Sequence, residues 1–197
     1  MIKRFSAYAT ALSLAALLTA VGTAGRTAAV NAGAAATTAA TAQADVGVNG
    51  FYATNKAQQG RSVQAAIVLD IPSGFHVNAN RVLNKFSVPT TVKIETPAGA
   101  RASAVTFPRA KVQKLGFSNE PLALFEGRAV LRFNVAFPAN FQTGVTELRA
   151  KVRYQACNNE ICYPPTTREI TMPINVVGAG EEVRPINRQI FGGGRRK

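Results

Sequence analysis

With one histidine, His76, and two cysteines, the chain is too poor in ligands for a structural zinc site, which takes about four such groups. No metal or other cofactor is expected. His76 has no acidic or nucleophilic neighbour in sequence, so a structural or surface role is expected for it rather than catalysis. There is no glycine-rich phosphate loop, no His-Glu-x-x-His and no Gly-x-Ser-x-Gly, so nucleotide and hydrolase chemistry have nothing to stand on. Acidic residues are scarce, 10 against 23 Lys and Arg, giving a formal net charge of +13. Such a balance favours anionic partners or surfaces. Basic residues, however, alternate along apparent strands, as in Arg149, Lys151 and Arg153, the pattern of any solvated sheet face. The compact basic cluster is the tail Arg195, Arg196 and Lys197, a weak contact for an anionic envelope surface at about 1 kcal/mol per cation. No basic patch is interleaved with aromatics, so nucleic acid is not an expected partner.

Long apolar runs are confined to the start. Lys3 and Arg4 precede a small and apolar stretch from about Ala7 to Ala24, the charged and apolar regions of a secretory signal. Cleavage is expected near Ala24, with Ala42-Gln43-Ala44 as the later alternative; an uncleaved anchor is the competing reading of a run this long. Removing Lys3 and Arg4 leaves 13 − 2 = +11 on the mature chain. Residues 25–44 are almost wholly Ala, Thr, Gly and Asn and are expected to be a flexible spacer, since they cannot bury enough surface to offset ordering entropy. Residues 45–178 then form one domain and 179–197 a flexible basic tail, in a periplasmic or secreted protein.

What the mature region does contain is a period of two. Val63, Ala65, Ile67 and Leu69 alternate with other residues, as do Val92 and Ile94, Leu131 to Phe137, Leu148 to Tyr154, and Ile170 to Val176. Each strand has one face for a core and one for water. Turn signals fall between them at Pro72-Ser73-Gly74, Pro97-Ala98-Gly99, Glu126-Gly127, Pro138-Ala139-Asn140 and Pro164-Pro165. Seven or so short strands with this punctuation predict an all-β fold, a two-sheet antiparallel sandwich.

Both cysteines lie in Tyr154-Gln155-Ala156-Cys157-Asn158-Asn159-Glu160-Ile161-Cys162-Tyr163-Pro164-Pro165. In an exported protein a disulfide is their default state. The inward phase of Val152 and Tyr154 places Cys157 on the outer side at a strand end, so the bond would close a small surface loop. Closing about six residues stabilises by only roughly 2 kcal/mol, poor placement for a staple and good placement for access. Two readings follow: a redox pair, or a non-enzymatic binding module whose disulfide only rigidifies a loop. Glu160 between the cysteines disfavours a thiolate, so a partner is expected to supply the reactive thiol.

The run Tyr-Gln-x-Cys, a short gap, and Cys-Tyr-Pro-Pro resembles the N-terminal periplasmic domain family of the thiol:disulfide interchange protein DsbD. Gly74-Phe75-His76-Val77-Asn78 and Phe125-Glu126-Gly127 are similar to two further signatures of that family, and the likeness extends over most of Val46 to Val177. The resemblance implies an immunoglobulin-like domain that passes electrons to or from other exported or membrane redox proteins. It implies Cys157 and Cys162 as the reacting pair, with Tyr154, Gln155, Tyr163 and Pro164 shaping the loop. It also implies an aromatic cap within residues 117–125, with Phe117 and Phe125 as candidates, each equally readable as a core aromatic. Some members space their cysteines one residue further apart. The family's membrane conduit and thioredoxin-like domain are not in this sequence, so the domain is expected to receive electrons from a separate protein, to act in the oxidised state, or to serve for binding alone.

Overall fold

A computed structural model describes residues 45–192; the expected signal, the spacer and the cationic cluster Arg195 to Lys197 lie outside the described residues. Within them the alternating segments are strands: β1 (Gly47–Tyr52), β2 (Lys56–Gln58), β3 (Ser62–Asp70), β4 (His76–Asn78), β5 (Thr91–Glu95), β6 (Arg101–Ala102), β7 (Lys111–Gln113), β8 (Leu122–Phe125), β9 (Arg128–Ala136), β10 (Gly144–Tyr154), β11 (Ala156–Cys157) and β12 (Thr166–Val177). One four-residue helix, α1 (Arg188–Phe191), closes the described chain.

The all-β immunoglobulin-like sandwich is thus present. Its first large sheet has the order β1-β3-β9-β6 and its second β2-β12-β10-β5. All pairings are antiparallel except β2 with β12. The predicted inward residues form the core: Ala65, Ile67, Leu69, Leu131, Val135, Leu148, Ala150, Val152 and Val176 are all sealed from solvent. The sheets come close at Gly50, where a Cβ would stand 2.4 Å from Met172 Cγ, so a side chain there would have to displace that of Met172. Beside it the Tyr52 hydroxyl donates to the Met172 carbonyl at 2.9 Å. Burial pushes the Tyr52 pKa up, which keeps that donor protonated.

Two features depart from the expectation. A third sheet, β11-β4-β8-β7, joins the sandwich. Its strands are two to four residues long, too short for periodicity to reveal. The second departure corrects the flexible tail: through Gly192 it is a strap. Asn55 N–H donates to the Arg184 carbonyl at 3.0 Å and Ile186 N–H to the Ala53 carbonyl at 2.8 Å. Ile190, 5% exposed, then covers Ala66 and Val68 on the outer face of β3. Arg132 Nη2 donates to the Ile190 carbonyl at 2.7 Å. The physical reason is that β3 is apolar on both faces, so its outer face needed a cover.

Candidate functional site

The site begins where β10 ends. Tyr154 still points into the main core, so this expected loop-shaping residue is a core side chain, its hydroxyl buried without a partner. Gln155 is the loop-shaper. Its Oε1 accepts from Asn78 Nδ2 and from Val88 N–H, both at 2.9 Å, and its Nε2 donates to the Tyr163 carbonyl at 3.1 Å. One amide therefore ties together β4, the 80s loop and the cysteine loop.

After Gln155 the chain pairs again, Ala156 with Val77 and Cys157 with His76. Asn158 then turns it. Its Oδ1 accepts from the N–H groups of Glu160 and Ile161, each at 2.8 Å, and its own N–H donates to the Ile161 carbonyl at 2.9 Å. This side-chain-closed turn is a local habit of asparagine. It brings Cys162 back opposite Cys157 as a bridge pair, and the two are disulfide-bonded with Cα atoms 3.9 Å apart. Tyr163 N–H donates to the Ala156 carbonyl at 2.8 Å, its hydroxyl accepts from Asn158 Nδ2 at 3.3 Å, and its ring lies 6.1 Å from that of Phe75. Pro164 is exposed just beyond.

The two sulfurs differ in surroundings. Cys157 is 0% exposed, packed with Leu115, Leu122 and Leu124, which corrects the expectation that it sits on the outer side. The alternation did place it on the face opposite Ala156. What it could not show is that this face of the small sheet is roofed by residues 115–122. Cys162 is half-buried and lines a cleft of ≈ 390 Å³ with Asn84, Phe86, Phe117, Glu120 and Gln155.

The two cap candidates part company. Phe117, 42% exposed, stands in the cleft wall near Cys162. Phe125, 3% exposed, belongs to the main core and stacks on Phe107 with ring centroids 6.4 Å apart. The same cleft is lined by an aromatic that sequence reasoning missed, Phe86, 80% exposed. The signal for it was a lone aromatic in the polar run Asn84-Lys85-Phe86-Ser87. The Phe117 loop rests on the cysteine loop backbone: a Cβ at Gly116 would stand 2.8 Å from the Asn159 carbonyl oxygen.

His76 does gain an acidic neighbour in space. Its Nδ1 lies 3.0 Å from Glu126 Oε1, which also accepts from Gln113 Nε2, while Glu126 Oε2 is paired with Lys111. Glu126 is held below the usual carboxylate range, first by the Lys111 hydrogen bond and then by Gln113, with desolvation opposing. Among the described residues, no group of three or more His, Cys, Asp or Glu side chains is placed to hold a metal ion, and no helix is long and apolar enough to cross a membrane.

Comparison with known proteins bears on this geometry. The family described as the N-terminal domain of the thiol:disulfide interchange protein DsbD matches residues 49–174. Among solved structures, the Neisseria meningitidis DsbD N-terminal domain in its reduced form is similar at 16% identity, covering 65% of this chain and 85% of that one, with a TM-score of 0.42. The GAE domain of yeast GGA1 is similar at 11% identity, covering 68% and 92%, with a TM-score of 0.35. AvmM, which catalyses macrocyclization in alchivemycin A biosynthesis, is similar at 8% identity, covering 71% and 92%, with a TM-score of 0.34. No curated protein sequence matches the chain.

Proposed function

The chain belongs to the family of the DsbD N-terminal domain, a periplasmic domain, and from that premise we propose that it is an exported thiol–disulfide exchange domain passing electrons to or from redox partner proteins through Cys157 and Cys162. The observation that carries the reading is the asymmetry of the pair: one sulfur residue at the floor of a cleft, the other sealed behind it.

Access then dictates order. An incoming thiolate meets Cys162 and displaces Cys157, giving a mixed disulfide between Cys162 and the partner. A second thiol of the partner attacks its own sulfur in that bond and frees Cys162. Two electrons have moved from the partner's dithiol, now a disulfide, to Cys157 and Cys162, now thiols. Run backwards, Cys162 attacks a partner disulfide and Cys157 resolves the intermediate. Phe86 and Phe117 line the cleft, both exposed, and offer apolar surface that a docking partner would cover.

The burial of Cys157 also favours a second reading, a binding module whose disulfide rigidifies a loop. The reduction potential separates the two. After equilibration of the chain with dithiothreitol or glutathione mixtures and trapping of free thiols, a value within roughly −120 to −270 mV is expected for an exchange domain. A value below about −300 mV, the range of structural bridges, would overturn the proposal.

A further inference from the structure

The small sheet carries a row of side chains that the exchange steps above leave unused. Val77 pairs with Phe125, so His76 and Glu126 stand side by side on the other face, and their side chains meet at 3.0 Å. Asn78 and Gln155 likewise meet at 2.9 Å on that face, which fixes the side on which alternate residues of β4 and the Gln155–Cys157 segment project. Two positions along, Cys157 is the registered partner of His76. Cross-strand partners have Cβ atoms about 4.5–5.5 Å apart on a common face. The row therefore reads Cys162, Cys157, His76, Glu126, spanning one disulfide, one strand pairing and one ion pair.

A chemical demand exists at this place. When a thiolate opens the disulfide at Cys162, the leaving sulfur is Cys157, and it leaves as an anion among Leu115, Leu122 and Leu124. An anion in an apolar surround is costly unless paired or protonated. Of the titratable groups facing His76, β8 contributes Glu126, β7 contributes Lys111, paired to Glu126, and β11 contributes Cys157 itself. Gln113, also on β7, is neutral and donates to Glu126. Glu160, three residues from Cys157 in sequence, is exposed at the tip of the turn. The cation-forming group in the row next to Cys157 is thus His76.

His76 Nδ1 lies 3.0 Å from Glu126 Oε1 and 3.1 Å from Gln113 Nε2; in the tautomer whose Nδ1 carries the proton, it donates to the carboxylate. In that tautomer Nε2 is the ring nitrogen left to take up or release a proton, on a residue registered with Cys157. A carboxylate holding imidazole orientation while the far nitrogen moves a proton is a recurrent arrangement.

Resting on the exchange reading, we propose that His76, oriented by Glu126, passes a proton to the Cys157 sulfur when the disulfide opens and removes it when the disulfide closes. On opening, the partner's S–Cys162 bond forms and the Cys162–Cys157 bond breaks. The electron pair stays on Cys157, and the imidazolium gives its Nε2 proton to that sulfur and becomes neutral. On closing, neutral His76 takes the Cys157 proton as this sulfur attacks Cys162 and expels the partner thiolate. Glu126 is a positioning residue, acting through the imidazole. Distance in sequence from Glu160 thus gives way to distance in space from His76 in setting the reactivity of the buried thiol.

The test is the closing step. Reduced full-length chain is mixed with oxidised glutathione, the Cys162–glutathione mixed disulfide is followed by mass after acid quench, and its closure is timed from pH 6 to pH 9.5. For His76→Phe the expectation is an accumulated mixed disulfide and closure slowed by about 100-fold at pH 7, in the range assigned to acid–base help, with recovery toward wild type at pH 9.5 where the thiol ionises unaided. His76→Gln, which keeps a hydrogen bond to Glu126 but has no titrating nitrogen, should behave the same and serves if the Phe variant folds poorly. Glu126→Gln should slow closure less. Wild-type rates and pH profile in both His76 variants would overturn the proposal, as would a loss equal at every pH, the mark of a merely structural role. A wild-type chain that forms no mixed disulfide at all would instead sink the exchange reading on which this rests.

Discussion

In the two large sheets the four longest strands run nine to twelve residues and most of their inward side chains are buried. In the small sheet no strand exceeds four residues, and the outer face mixes Leu122, Leu124 and a disulfide with His76, Glu126, Gln113 and Lys111. The first region has continuous apolar burial and ladder hydrogen bonds. The second has only short ladders, supplemented by single side chains, chiefly Gln155 and Asn158, and by one short covalent link. The difference teaches where long-strand packing and reactive side chains reside: the sandwich supplies most of the core, and the small sheet adds Val77, Ala123, Phe125 and Ala156 to it while holding the cysteine pair on its other face. Elements that must move or react come from the less stable end of a structure.

The comparison breaks first if the sandwich is not the seat of stability. Leu131→Ala removes a side chain fully buried between the sheets and should cost about 3–5 kcal/mol in urea unfolding, with exchange activity of the folded fraction unchanged. A loss below about 1 kcal/mol would mean that the core is not where the folding energy lies. Next in size, Cys157→Ser/Cys162→Ser opens a loop of about six residues and should cost only roughly 2 kcal/mol while abolishing exchange. A much larger loss would make the bridge a structural element of the whole domain.

A smaller effect is expected at the roof over the cysteines. Gly116→Ala places a methyl group 2.8 Å from the Asn159 carbonyl oxygen, a backbone atom that cannot swing aside, so the two loops must part. Reduction of the disulfide by dithiothreitol should quicken by about fivefold, the equivalent of roughly 1 kcal/mol less closure, with little change in global unfolding. An unchanged rate would show that the Phe117 loop does not gate Cys162. Smallest is the acid response of the small sheet. Glu126 has a depressed folded pKa, so its contribution is complete above the unfolded carboxylate value of about 4.3 and is lost as pH falls through the lower folded value. Amide exchange in β7 and β8 should therefore rise toward pH 3 before that of β9 and β10, and Glu126→Gln should remove the difference.

Much of the sandwich was legible because its strands are long enough for a period of two to repeat. Val63 to Leu69, Leu131 to Phe137 and Leu148 to Tyr154 each gave several repeats of the pattern, and the turn at Gly127, with φ +58°, was marked by its residue. The third sheet was not legible, since three residues such as His76 to Asn78 carry no period. The strap over Ala66 and Val68 was missed for a related reason: Ile190 and Phe191 are two apolar residues in a basic, glycine-rich end, and only the unpaired apolar face of β3 asked for them.

At the site the division is similar. The sequence by itself determined the cysteine pairing, the small loop it closes and the membership of Cys157 in a face opposite Ala156, because these are local in the chain and follow from spacing and strand alternation. Tertiary structure alone decided that Cys157 is sealed and Cys162 reachable, that Phe117 lines one cleft with Phe86 while Phe125 goes to the core, and that His76 acquires Glu126 as a neighbour. Burial and cross-strand adjacency depend on which segments close over one another. For strands of two to four residues that outcome is set by the packing of the whole sandwich and not by the residues of the strands themselves.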